Sequence, residues 1–154
     1  TLWVAGDGAA PFMHTVAQRH GVALAAQAGS DLGARMAHAF DTALAHAARC
    51  VLIGTDCPAM TPAHIAQAAE LLRAHDVVLQ PALDGGYVLI GLRAPQPALF
   101  RDIAWGSAEV LAATRARIAA RRLAGVELPP LPDLDTAADY DHARAAGWIT
   151  AIEE

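Results

Sequence analysis

The apolar run Cys50–Ile53 passes through Gly54 and Thr55 and ends on a single carboxylate, Asp56. A carboxylate at a strand end supplies oxygen to a hard divalent cation such as Mg²⁺ or Mn²⁺. Such an ion neutralises a diphosphate and stabilises it as a leaving group. The same residue equally suits a turn, where its side chain satisfies nearby backbone N–H groups. A second acidic pair lies in "PDLDTAADY", Pro132–Tyr140, where Asp133 and Asp135 stand two apart and Asp135-Thr136 leads into a helix. It reads either as a further metal carboxylate from a distant part of the chain or as helix capping, with Asp139 favoured by the dipole. No His or Cys stands at zinc-type spacing nearby, so a structural zinc is not expected.

Three other stretches carry groups with chemical use. In "DGGY", Asp84–Tyr87, paired glycines let backbone approach a ligand and expose N–H groups to a phosphate or sugar hydroxyl. Asp-Gly is also a strong turn signal between two strands. In "GSDLGARM", Gly29–Met36, a helix N-terminus behind Asp31 can face an anion, with Arg35 one turn in; a capped helix with a solvent-facing Arg explains the same residues. Trp105 can stack on a sugar or base, or simply pack in the core. Asp56 and Asp84 are the candidate catalytic carboxylates, and Asp31, Arg35, Gly85, Gly86 and Trp105 the candidate substrate contacts. Ser30 and Ser107 read as loop or cap residues, and no nucleophile-elbow motif occurs. The chain has no Lys, which excludes lysine catalysis from its own residues and a phosphate-binding P-loop.

Strands and helices alternate around these residues. "TLWVAG", "GVALAAQ", Cys50–Gly54, "DVVLQ" and "YVLIGL" read as strands. Helices are predicted from Pro11 to about His20, Leu32 to about Ala48, Pro62 to about Ala74, Ser107 to about Leu123, and Thr136 to about Ala146. "DGAAP", Asp7–Pro11, reads as a loop, and "VELPPLPDLDT" as an extended segment whose prolines forbid a helix. This pattern predicts an α/β fold, three layers α/β/α with a mostly parallel sheet, in a single domain over residues 1–154. Ligands of such sheets bind beyond the carboxyl ends of the strands, which is where Asp56 falls.

The 154 residues carry a net charge of −5, which argues against general nucleic-acid binding. The charge is uneven. Arg101–Arg122 holds five Arg against Asp102 and Glu109, whereas Leu123–Glu154 holds seven acids against Arg144. That split fits a phosphate-facing patch beside a metal-facing one, or two solvated faces. No apolar run approaches the ~18 residues of a membrane span. No signal peptide is read, and a cytoplasmic location is expected. Cys50 and Cys57 flank one strand, so a disulfide between them is not expected.

The stretches "GSDLGARMAHAF", "VLIGTDCPAMTPAHI", "DVVLQPALDGGYVLIGL", "LFRDIAWGS" and "LPPLPDLDTAADY" together resemble the bacterial radical-SAM/selenodomain-associated transferases, glycosyltransferase-like proteins long labelled as of unknown function. The resemblance covers roughly Gly29–Tyr140. It implies a GT-A-like nucleotide-diphospho-sugar transferase fold acting on a nucleotide sugar or nucleotide and an unknown acceptor. It also implies Mg²⁺ or Mn²⁺ on Asp56 and Asp135, less surely Asp133, and a sugar or acceptor beside Asp84, Gly85 and Gly86. The usual "WST" of those relatives reads "WGS" here, Trp105–Ser107. Relatives also begin with an additional strand and a Lys/Arg loop that grips the nucleotide phosphates, so the resemblance implies a chain that starts after that element. The expected functions are sugar transfer, nucleotidyl transfer with release of pyrophosphate, or a non-catalytic ligand-binding or oligomerisation module. An open strand edge at the missing element invites pairing into a homo-oligomer.

Overall fold

Val77–Pro81 is the most buried strand of the chain, apolar but for Gln80, and every one of its residues is buried. A strand of this kind must be covered on both faces. In the computed structural model, which describes residues 1–6 and 10–149, it stands inside a four-stranded sheet. In chain order the elements are β1 (Leu2–Val4), α1 (Pro11–His20), β2 (Leu24–Ala26), α2 (Leu32–Leu44), β3 (Cys50–Ile53), α3 (Pro62–Leu71), β4 (Val77–Pro81), β5 (Tyr87–Leu92), a 3₁₀ turn (Pro97–Leu99), α4 (Val110–Ala120), β6 (Gly125–Glu127) and α5 (Ala137–Ala145). Part of the loop expected over Asp7–Pro11 falls on residues 7–9, outside the described residues.

The main sheet has the order β3-β5-β4-β6, and β1 and β2 pair in parallel as a separate two-stranded sheet. β3, β4 and β6 point the same way, and β5 runs antiparallel between β3 and β4. The reversal is forced. Only Ala82–Gly86 joins β4 to β5, and a parallel crossover needs about a dozen residues. Alternation along the strands makes the three layers. Val77, Leu79, Ile90 and Leu92 turn one face of the sheet to Met36 and Phe40 of α2 and Leu111 and Ile118 of α4. Val78 and Leu89 turn the other face to Ala68 of α3 and to Leu72. Each fully buried Leu or Ile here contributes about 1.5–3 kcal/mol of transfer free energy.

The helices are shorter than their sequence patterns predict at the C-termini of α2, α3 and α4. α4 also starts later than Ser107. The Ser107 hydroxyl donates to the Ala104 carbonyl and accepts from the Glu109 N–H, which makes a turn ahead of the helix. The helix's early N–H of Leu111 instead donates to the Gly85 carbonyl at 2.9 Å. A tertiary partner thus replaces the side-chain cap and docks α4 onto the β4–β5 loop. Thr136 caps α5 as expected, with Asp139 reaching back to the Thr136 N–H at 2.8 Å.

The rim of the sheet away from Asp56 is tied by Asp76. Its carboxylate accepts from the Ala124 N–H at 2.8 Å and from both Nε (2.7 Å) and Nη2 (2.6 Å) of Arg93. The Ala124 hydrogen bond, then Arg93, holds this carboxyl below its ordinary value. A lowered folded pKa contributes stability that is complete above the ordinary carboxylate range and lost as pH falls through the folded value. Asp76→Ala is therefore expected to cost about 1–3 kcal/mol in denaturant unfolding at pH 7. The difference from the parent protein should shrink on acidification.

Candidate metal centre

Because β3, β4 and β6 point the same way, the segments that follow them leave the sheet along one rim. Each carries acid: Asp56 after β3, Asp84 after β4, and Asp133 and Asp135 after β6. The last segment stays beside its neighbours because β6 does not stop pairing cleanly. Leu128 N–H donates to Leu79, and Leu131 N–H donates to Pro81 at 3.0 Å. Buried Gln80 holds the intervening Pro129 carbonyl through Nε2 at 3.0 Å. The extended chain then delivers Asp133 and Asp135, whose spacing of two puts both side chains on one side.

One carboxylate oxygen each from Asp84, Asp133 and Asp135 lie within 4.8 Å of one another. Asp84 and Asp135 are exposed and Asp133 is half-buried. Asp84 is fixed by the Gly86 N–H, which donates to Oδ1 at 2.8 Å. Burial, and then the charges of Asp84, Asp135 and Asp56, push the Asp133 carboxyl above its ordinary value. Among the described residues the ion pairs are Arg73–Glu70, Arg93–Asp76 and Arg115–Glu127, and none reaches this cluster. Two carboxylates at such separations repel by ~1 kcal/mol even at the dielectric of water. A set of hard oxygen donors with uncompensated charge suits Mg²⁺ or Mn²⁺ better than a soft-ligand metal.

Asp56 stands beside this cluster and outside the group of three. Its backbone carbonyl accepts the Leu134 N–H at 2.9 Å, and its side chain folds back so that Oδ1 lies 2.5 Å from where a Cβ on Gly54 would be. The sequence pairs Asp56 with Asp135; in the structure the carboxylates that approach Asp135 are those of Asp84 and Asp133, and Asp56 lies in the neighbouring segment. The signal for Asp133 was its two-residue spacing from Asp135 in an extended, proline-bounded segment.

The glycine loop spends its polar groups internally. Gly86 N–H binds Asp84, the Gly86 carbonyl accepts from Ala82, and the Gly85 carbonyl accepts from Leu111. The Gly86 N–H thereby holds the Asp84 carboxylate. Asp31 caps α2 by accepting the Ala34 N–H at 2.8 Å, and Arg35 Nε donates to the Gly29 carbonyl at 3.3 Å. Both hold the entry to α2. Trp105 packs edge-on against Tyr87, with centroids 6.5 Å apart, and its ring blocks the space a side chain on Gly33 would need. Tyr87 directly follows the Asp84 loop, and Trp105 packs against the core cluster beside it. The arginines of α4 are tied to neighbours: Arg115 makes a two-pronged pair with Glu127, both bonds 2.7 Å, and Arg117 donates to the Asp102 carbonyl at 2.8 Å. Both cysteines are free thiols.

A family profile described as "Uncharacterized protein conserved in bacteria (DUF2064)" matches residues 1–107. The chain belongs to that family. The matched span of this DUF2064 protein includes Asp56 and Asp84, and Asp133 and Asp135 lie beyond it. A crystal structure of a "putative nucleotide-diphospho-sugar transferase" from Desulfovibrio desulfuricans G20 is similar to the chain, with a TM-score of 0.80 and 34% identity. The match covers 91% of this chain and 63% of that one, so the DUF2064 chain spans less than two thirds of its neighbour's length. No curated protein matches it. The fold is thus α/β of the nucleotide-diphospho-sugar transferase type. No helix among the described residues is long and apolar enough to cross a membrane.

Proposed function

We propose that the protein is a metal-dependent transferase of the GT-A type that moves a sugar from a nucleoside diphosphate sugar to an acceptor, in a single domain. The observation that carries this reading is the approach of Asp84, Asp133 and Asp135 to within 4.8 Å with no cationic side chain paired to them among the described residues. Its likeness to a protein described as a "putative nucleotide-diphospho-sugar transferase" supports the same chemistry. In this reading Asp84, Asp133 and Asp135 hold Mg²⁺ or Mn²⁺, with Asp56 at their side. The bound cation supplies charge neutralisation to the departing diphosphate.

The chain's own residues supply position and charge. Asp84 keeps Oδ1 on the Gly86 N–H and so presents Oδ2 in a fixed direction. Asp133, the least exposed of the three, sets the depth of the site. Preorganised groups of this kind need not rearrange when charge develops on the substrate. The radical-SAM-associated transferases remain the family whose residue pattern the chain resembles, and a shared activity with them belongs to this proposal.

Isothermal calorimetry with UDP- and GDP-sugars, with and without Mn²⁺, tests it. The expected result is nucleotide-sugar binding that requires Mn²⁺ and release of the nucleoside diphosphate on turnover. Release of pyrophosphate would reassign the chemistry to nucleotidyl transfer. Absence of both Mn²⁺ and nucleotide binding would leave a non-catalytic module.

A further inference from the structure

Cys57 lies next to Asp56 and is 7% exposed. Its thiol donates to the Pro132 carbonyl at 3.3 Å. The preceding carbonyl, that of Asp56, accepts the Leu134 N–H at 2.9 Å. Two consecutive residues after β3 thus grip the backbone on either side of Asp133. The thiol sits in a small apolar cluster with Ala82 and Val88, against which Leu131 and Met60 pack. It is therefore walled by the segments that lead to all four acids.

The geometry points to Cys57 as a positioning residue for the metal centre: with the Asp56 carbonyl it clamps Pro132–Leu134 and so fixes Asp133 against Asp84 and Asp135. The inference rests on the proposed reading of these acids as a metal site. The segment needs such a clamp because its prolines, Pro129, Pro130 and Pro132, have no N–H with which to continue the ladder to β4. Past Leu131, among the described residues, the hydrogen bonds between β3's loop and this segment are the Cys57 and Asp56 contacts. An inert packing role for the thiol predicts that Val would serve as well as Ser. A clamp predicts that a hydroxyl donor serves and an apolar isostere does not.

Mn²⁺ affinity, followed by electron paramagnetic resonance of the free ion, separates these. Cys57→Ser is expected to stay within about threefold of the parent. Cys57→Val is expected to weaken binding by about 10- to 100-fold, the usual effect of losing an outer partner of a metal ligand. Melting in EDTA reports whether each variant is folded. Equal Mn²⁺ affinity of the Val variant and a parent that binds the ion would overturn the clamp alone. A parent that does not bind Mn²⁺ would overturn the metal site and the clamp with it.

Discussion

Asp133→Asn is expected to raise the melting temperature of the metal-free protein and at the same time to remove the stabilisation by Mn²⁺ that the proposed metal site predicts. The two effects have opposite sign because they come from one arrangement. Asp133 is pushed up by burial and by three neighbouring carboxylates, so its charge opposes folding when no cation is present. A carboxyl with a raised folded pKa favours the folded state below its unfolded value, and that contribution is lost as pH rises through the folded value. Once the pH is above the folded value the penalty is in place, and the neutral amide relieves it. Relief of like-charge repulsion on this scale is about 1 kcal/mol, or about 2–4 °C in a domain of this size. The gain should fade as pH falls towards ~3.9, the ordinary carboxylate value. Adding Mn²⁺ at a hundred times its dissociation constant should stabilise the parent by about 2.7 kcal/mol. The variant should show almost none of this. Differential scanning calorimetry across pH, with and without Mn²⁺, reads both halves. A metal-free variant less stable than its parent at pH 7 would mean that Asp133 is a structural acid.

The layers and the rim were legible in the sequence because they follow from patterns that need no tertiary information. Apolar runs ending in Gly or acid gave the strands, and alternation with helices put their carboxyl ends on one side. Which acids meet was less legible. Asp56 sits at the most conspicuous strand end, yet its side chain turns back over Gly54, a rotamer choice that spacing does not reveal. Asp84 read as part of a ligand-facing glycine loop. In the structure the Gly86 N–H and both glycine carbonyls have partners within the protein, with α4 taking the Gly85 carbonyl as its N-terminal partner. The direction of β5 was available from the five-residue connection and the hairpin rule. The Cys57 clamp was not, because a thiol's partner 75 residues away leaves no local trace.

Gly85→Ala is a backbone substitution with a large expected cost, and Gly106→Ala is its control. Both glycines have positive φ, +95° at Gly85 and +81° at Gly106. Both substitutions therefore pay about 1–2 kcal/mol for a left-handed residue. They differ in what the new methyl meets. At Gly106 the space is open, whereas at Gly85 a Cβ runs into the Ala108 backbone, 2.8 Å from its Cα. Backbone cannot step aside as a flexible side chain can, so overpacking adds about 1–3 kcal/mol at Gly85 alone. The only ways to relieve it are to lift α4 or to push the loop outward. The first breaks the Leu111-to-Gly85 hydrogen bond. The second swings the Gly86 N–H, and with it Asp84, away from Asp133 and Asp135. Either way the loss of stability comes with a loss of Mn²⁺ affinity of about tenfold or more. Gly106→Ala should melt only slightly early and bind Mn²⁺ like the parent. If both variants lost Mn²⁺ equally, close packing of the β4–β5 loop on α4 would not be what aims Asp84.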